Sequence, residues 1–539
     1  MLINKLCTVI WLSLSAGLAW CQPRTNSTDD HCSSSFLSSA IELPGNAQLL
    51  HLSAASAHTI SNNATVNFCN VTVTYTHASG NDTIRIFVNF PRDNWNGRFQ
   101  GVGGSGWATC SGLSALLSPV ANGYSAGCTD GGHGLYFASS ASWAGLPNGK
   151  LNLHLFEDFA SVALNDLAVV GKQLARRYYG YGPRYSYWSG CSTGGRQGLM
   201  MAQKYPTAYN GIYAGAPAIN WPAFIVAEYW SQFWMNQLNH HPPQCVFDTI
   251  TNAALAACSS IHDGLIHEPG QCTFDPDTMI GQEANCSGNM VTISEKDTRI
   301  VKKTWEGPRT ADGQWLWWGI TPGTPFSGLT NTTCTGLDLR NCTGAPFSIS
   351  ADWITRWVMQ DPDFDLHTLT LDTYVELFTK AFSEYNGIIG TNNVDLRAFQ
   401  EAGGKMVTWH GLVDQLIFPD GSINYYRQVK AFDPTVENYY RFFPAPGVEH
   451  CGGGIGAVPS DPLAVVVDWV ERGVAPDVLP AITSDGTRRR NLCMYPQVAF
   501  YVGGDPFAAG SYACKSAGEY VDDISPGTNF ITDSKKDEL

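Results

Sequence analysis

Ser192 stands at the centre of Gly190 to Gly194, a G-x-S-x-G run. Before it, Tyr185, Tyr187 and Trp188 read as a strand, and after it Arg196 to Tyr205 has helical composition. Small residues two positions either side of a serine allow a strand to turn abruptly into a helix, straining the serine and presenting its hydroxyl. A hydroxyl is a poor nucleophile at neutral pH, so the turn predicts a base and a group that orients the base. In such folds these follow in the order Ser, Asp or Glu, His. Lys405 to Trp409 reads as a buried strand running into His410, Gly411, Leu412, Val413 and Asp414, and Tyr439 to Phe443 leads to Gly447, Val448, Glu449 and His450. Taken singly, Asp414 also fits a turn and His450 an ordinary loop histidine. Taken with Ser192 they form a nucleophile, a general base (His450) and the carboxylate that orients it (Asp414).

Cys191 immediately precedes the serine and Cys451 immediately follows the histidine. If bonded, they tie nucleophile and base together, and closing so long a loop stabilises by roughly 4 to 5 kcal/mol in the chain-entropy model. An acyl-transfer site also requires donors for the oxyanion. The Gly-rich stretch Phe99 to Gly106 precedes the serine turn, and we assign Gly103 and Gly104, within the stretch Gly103 to Ser105, together with the Thr193 amide, to that role. A flexible turn is the plainer reading of these glycines. No Lys-Ser/Thr follows them, which disfavours a phosphate loop.

The runs Gly190 to Gln197, Ala202-Gln203, Tyr205-Pro206, Gly211-Ile212 and Ala214 to Trp221 resemble the tannase and feruloyl esterase family. So do Trp409-His410-Gly411 with Asp414, His450-Cys451, and Asp468 to Glu471 with Gly473 and Pro476. The resemblance spans roughly residues 32 to 515. It implies an α/β fold, namely an α/β-hydrolase core with a large inserted lid domain, a serine esterase mechanism and substrates that are esters of phenolic acids. The same residues would serve an acyltransferase or tailoring esterase acting on a secondary metabolite in the secretory pathway, or a binding protein on a hydrolase scaffold; the last is disfavoured because all three triad members are retained.

Several elements must position these groups. Alternating Val, Phe, Ile and Thr over Thr65 to Tyr75 and Thr83 to Asn89 predict strands. Helical spacing over Phe156 to Tyr179 predicts a helix packed on the sheet, and another is expected around Ala464 to Arg472. Thr129 to His133 matches a loop of the family whose role is not legible in the sequence. We divide the chain into a signal peptide (1–21), a first core segment (22–221), the lid (222–395) and a second core segment (396–539). The lid is rich in Trp, Asn, Thr, Cys and Pro. Its Trp230, Trp234, Trp315, Trp317 and Trp318 suit a ring-binding pocket but fit simple core better. Disulfides are expected between Cys258 and Cys272 and between Cys493 and Cys514, with Cys334 and Cys342 another short-range pair. Relatives carry a calcium loop after a lid helix. Here only Asp263 survives of its carboxylates, whereas calcium takes about six to eight oxygens, so we expect that the calcium site is lost or binds calcium weakly, and assign no metal and no cofactor.

Lys5 followed by a mostly apolar run to Trp20, with Ala19 and Cys21 at plausible cleavage positions, reads as a secretory signal. Its removal leaves fourteen of the 16 cysteines, which suits an oxidising compartment. Sequons at Asn26, Asn63, Asn70, Asn81, Asn285, Asn331 and Asn341 agree. The formal charge of −15 argues against nucleic acid or anionic membrane as partner, and no other stretch is suited to membrane insertion. The chain ends Lys536, Asp537, Glu538, Leu539, an address read by a KDEL-type retention receptor that would hold the protein in the endoplasmic reticulum lumen. The remaining partner is a small-molecule ester.

Overall fold

The computed structural model describes residues 31–516 apart from 40, 62, 63, 79, 81, 336–338 and 340. The expectations placed on residues 1–21, on Asn26, Asn63 and Asn81, and on residues 536–539 therefore lie outside the described residues.

Among the described residues, nine strands form the central sheet: β1 (Gln48–Ser61), β2 (Ala64–Thr76), β3 (Ile84–Pro91), β4 (Arg98–Val102), β5 (Ser125–Thr129), β6 (Tyr185–Cys191), β7 (Gly211–Gly215), β8 (Lys405–Gly411) and β9 (Tyr440–Ala445). Their order is β1-β2-β3-β5-β4-β6-β7-β8-β9. From β5 through β9 all neighbours are parallel, while β1, β2 and β3 are joined antiparallel at one edge. This is the α/β-hydrolase layout. Covered by helices on both faces, β8 (KMVTWHG) is buried along almost its whole length, as parallel strands must be. β1 has no counterpart among the sequence expectations. Its Ala, Ser and His have low strand preference and most of its side chains are exposed, so only the pairing with β2 defines it.

The expected helix over Phe156 to Tyr179 is two helices, Leu153–Ala160 and Val162–Tyr179, broken at Ser161, whose φ of −160° leaves the helical region. The Phe99 to Gly106 stretch is likewise not all loop, because its first residues belong to β4.

Residues 216–404 contribute no described strand to the central sheet. They form helices such as Gln244–Cys258, Glu295–Glu306 and Leu371–Ile389 and two short hairpins. Their apolar side chains do not close on themselves. Trp230, Phe247, Trp353 and Trp357 share one core with Trp107, Trp143, Phe156 and Phe159, which precede the serine turn. Seven disulfides join all fourteen described cysteines: the expected pairs 191–451, 258–272, 334–342 and 493–514, and in addition 32–69, 110–128 and 245–286.

Candidate active site

Register places the site. Across the sheet, Cys191 pairs with Gly215, Gly215 with Trp409 and Trp409 with Phe443, so one row of residues marks the carboxyl ends of four adjacent strands. Ser192 lies one residue beyond that row. Asp414 lies on the loop after β8 and His450 on the loop after β9. The three therefore emerge from one end of one sheet.

Ser192 has φ 64° and ψ −125°, a conformation that side chains other than glycine rarely adopt. Three hydrogen bonds hold it there: its N–H donates to Gly215 O (3.0 Å), and its carbonyl accepts from Arg196 N (3.0 Å) and Ala218 N (3.1 Å). The surrounding glycines are steric requirements. A Cβ on Gly190 would lie 2.5 Å from the Gly194 carbonyl carbon, and one on Gly195 would lie 2.3 Å from Gly215 O. Gly195, just beyond the pentapeptide, is thus as constrained as the motif glycines themselves. The helix that follows, Thr193–Lys204, carries Arg196 fully buried, donating to Ala160 O (2.8 Å) and Phe159 O (3.2 Å).

Asp414 is completely buried. One oxygen, Oδ1, accepts from the backbone N–H groups of Leu416 and Ile417, both at 2.9 Å. The other, Oδ2, faces His450 Nδ1 at 2.8 Å and His410 Nε2 at 3.1 Å. Burial alone would raise its pKa. The His450 charge and the hydrogen bonds of His410 and His450 overcome that and hold the carboxyl well below its usual range. His410 Nε2 also faces the Ile417 carbonyl (2.9 Å), so it carries the proton and Nδ1 accepts from the Ser422 hydroxyl (2.8 Å). His410 is the site residue that sequence reasoning left without a role; its signals are its place in the Trp409-His410-Gly411 run and its position four residues before the candidate acid. Gly411 lets the two loops meet, since a Cβ there would lie 2.1 Å from Val448 O.

The backbone N–H of His450 donates to Gln415 Oε1 (3.0 Å), anchoring the histidine loop to the acid loop. Cys191 and Cys451 are bonded, with S–S 2.04 Å and Cα–Cα 6.0 Å across 260 positions. His450 Nε2 lies 3.7 Å from Cys451 Sγ, so the free ring nitrogen is turned to the sulfur bridge that leads to the residue before Ser192.

The oxyanion assignment requires correction. Gly103 N–H donates to Ser189 O (3.0 Å) and Gly104 N–H to Gln197 Oε1 (2.9 Å), so neither amide is free to meet a developing charge. These glycines serve instead as spacers. A Cβ on Gly103 would sit 2.6 Å from Gly194 Cα, and Gly104 O accepts from Gly194 N (3.1 Å). The Thr193 side chain is tied back to Gly106 O (2.7 Å); its backbone amide opens the helix, where unsatisfied N–H groups favour negative charge.

Asp263 does not suit calcium. Its carboxylate meets His267 Nε2 (3.1 Å), Arg490 Nη2 (3.2 Å) and the N–H of Leu265 (3.2 Å), donors that occupy a carboxylate and repel a cation. Thr129 to His133 is structural: the Asp130 carboxylate accepts from the N–H groups of Arg85 (2.8 Å) and Gly132 (2.9 Å), and His133 stacks on Trp143 with its pKa pushed down to about 3 by burial.

A 330 Å³ cavity adjoins the histidine loop, lined by Glu449, Gly447, Gly454, Val413 and, from the insertion, Thr251 and Leu255. A larger one, 490 Å³, is lined by Trp305, Trp315, Trp318, Pro419 and Arg490 and includes none of Ser192, Asp414 or His450. Volume therefore does not point to the chemistry here; the strand ends do. Trp230 and Trp317 are core, as expected.

The sequence profile of the tannase and feruloyl esterase family matches residues 69–515. The chain belongs to this family. A probable feruloyl esterase of Arthroderma benhamiae is 41% identical over 467 residues, covering 84% of this chain and 86% of that protein. The tannase of Aspergillus oryzae is 27% identical, covering 86% of this chain and 90% of its own. Among solved structures, the tannin acyl hydrolase of Aspergillus niger superposes with TM-score 0.82 at 26% identity, covering 91% of this chain and 96% of that one. The protein is a carboxylic ester hydrolase. Its relatives carry hydrolase names, which favours hydrolysis over acyl transfer. The seven disulfides suit the secretory pathway, and no described helix is long and apolar enough to cross a membrane.

Proposed function

We propose that this tannase and feruloyl esterase family member cleaves esters of phenolic acids through an acyl-enzyme formed on Ser192. The observation that carries the reading is the 2.8 Å contact between His450 Nδ1 and the buried Asp414 carboxylate, on a loop bonded by sulfur to the residue before Ser192. Asp414 holds the proton on Nδ1 and leaves Nε2 as the base. Nε2 takes the Ser192 proton as Oγ attacks the ester carbonyl, and the Thr193 amide donates to the oxyanion. The imidazolium then returns its proton to the leaving alcohol. Water, deprotonated by the same nitrogen, attacks the acyl-enzyme and releases the acid. The phenolic substrate class rests on the names of the relatives above.

Calcium has no part in this scheme, in keeping with the donors around Asp263. The signal peptide, the sequons and the terminal KDEL further suggest a glycoprotein retained in the endoplasmic reticulum lumen by the KDEL receptor. Retention is tested by locating the chain with and without residues 536–539. Replacing Ser192 by Ala and assaying methyl ferulate, methyl gallate and an aliphatic ester tests the chemistry. Loss of turnover on all substrates with unchanged folding is expected; turnover in Ser192→Ala excludes the serine route, and a preference for the aliphatic ester excludes the phenolic class.

A further inference from the structure

Away from the hydrolytic residues, four side chains converge where the loop after β2 meets the helix Leu153–Ala160. His77 and Asp82 come from the loop; His154 and Asp158, four residues apart, share one face of the helix. One nitrogen or oxygen of each lies within 4.8 Å of all the others. We propose that His77, Asp82, His154 and Asp158 bind a single divalent transition metal of the zinc type, as a structural site.

Three observations carry this. Asp158 is fully buried, with both carboxylate oxygens lacking a hydrogen-bond partner, and it points into the cluster: Oδ1 is 3.8 Å from His77 Nδ1 and Oδ2 is 3.8 Å from His154 Nε2. A buried carboxylate left in that state is costly unless a cation or proton compensates it. Next, His77 Nε2 faces Asp166 Oδ2 at 3.0 Å, and that same oxygen accepts from the Tyr75 hydroxyl (2.8 Å). With the proton on Nε2, the Nδ1 lone pair is turned towards Asp82 Oδ2 only 2.7 Å away, an arrangement of two acceptors that calls for a positive centre. A histidine whose far nitrogen is held by a buried carboxylate is also the usual support of a metal ligand. Last, the spacing fits. Bonds of about 2.0 to 2.1 Å to a tetrahedral ion place ligand atoms about 3.3 Å apart. Asp82 Oδ2 lies 2.7 and 2.9 Å from His77 and His154, a little inside that value, and Asp158 lies a little outside it, through Oδ1 to His77 and Oδ2 to His154 (3.8 Å each), with one ligand atom of every residue within 4.8 Å of the rest.

Two nitrogens and two carboxylate oxygens suit zinc, whereas calcium and magnesium prefer all-oxygen sets of higher number. The His154 side chain is 31% exposed while those of Asp82 and Asp158 are 0% and 1% exposed, so the ion has one open side by which to enter. The site lies at the end of β2, four strand spacings or about 19 Å from β6, which makes it structural. It would fasten the outer sheet to the helix whose last carbonyls, Phe159 and Ala160, hold Arg196 of the helix behind Ser192.

The test uses the untagged, full-length protein stripped with a chelator and titrated with zinc and then cobalt chloride. One equivalent of zinc per chain is expected, with a rise in melting temperature and, for cobalt, the intense visible bands of a four-coordinate ion. Affinity should fall about 100-fold in Asp158→Asn and in His154→Ala and about 10-fold in Asp166→Asn. His267→Ala, beside Asp263, should bind as the parent does. His154 is partly exposed, so its variant keeps the test open if Asp158→Asn fails to fold. Absence of stoichiometric uptake, or equal uptake by His154→Ala, would show that the cluster is held by protons and overturn the proposal.

Discussion

Replacing Asp414 by Asn separates charge from shape at the point where the site is most tightly specified. The carboxylate faces four donors: two backbone N–H groups on Oδ1 and two imidazole nitrogens on Oδ2. An asparagine offers one oxygen and one NH2, so either orientation sets the NH2 against two of them. With NH2 towards the backbone, it opposes two amide hydrogens that cannot move. With NH2 towards the histidines, it opposes His410 Nε2, whose proton is fixed by Ile417 O, and forces His450 to carry its proton on Nε2, where it cannot accept one from Ser192. Two bonds to a charged group, each about 1.5 to 3 kcal/mol, are lost, so folding stability should drop by about 3 to 6 kcal/mol. The rate should fall about 10⁴-fold, the effect seen in serine proteases when this tautomer is wrong. Chemical denaturation and initial rates on a methyl phenolate ester measure the two effects. A variant that keeps more than about a tenth of kcat, a barrier change below about 1.4 kcal/mol, would refute the assignment of Asp414.

Three further outcomes follow from the same geometry. Converting Cys191 and Cys451 together to Ser should destabilise by up to about 5 kcal/mol and reduce kcat more than it raises KM, because the bridge holds base and nucleophile in register; equilibrium unfolding with steady-state kinetics checks both. Gly195→Ala places a methyl 2.3 Å from a backbone carbonyl and should cost about 3 kcal/mol or more, seen as a lowered melting temperature and lost activity. Glu228 is buried, and burial first and the Asp414 charge second push its pKa well above normal. The native state then keeps a proton that the unfolded chain releases above its ordinary pKa, so stability falls as pH rises from there towards the native value, by up to about 1.4 kcal/mol per pH unit. Glu228→Gln should be more stable than the parent at pH 8 and gain less at pH 5; an equal gain at both would refute the neutral-acid reading.

Much of the site was legible because it is written locally. The serine turn is a strand, one residue and a helix in unbroken succession, and its glycines announce a steric requirement that any chain making that turn must meet. Asp414 and His450 each follow a hydrophobic run that can only be a buried strand, and the adjacent cysteines signal their partnership. What tertiary structure alone decided is what lies beside what. Gly103 and Gly104 were assigned as donors on composition, but whether an amide is free depends on Ser189 and Gln197, which only the folded sheet brings to them. His410 gains its part through Ile417 and Ser422, Arg196 through the end of a helix some 36 positions earlier, and the insertion completes its core with Trp107 and Trp143. Backbone strain and hydrophobic period are short-range properties that a sequence displays; hydrogen-bond satisfaction is a long-range one, settled only when distant segments compete for the same donor.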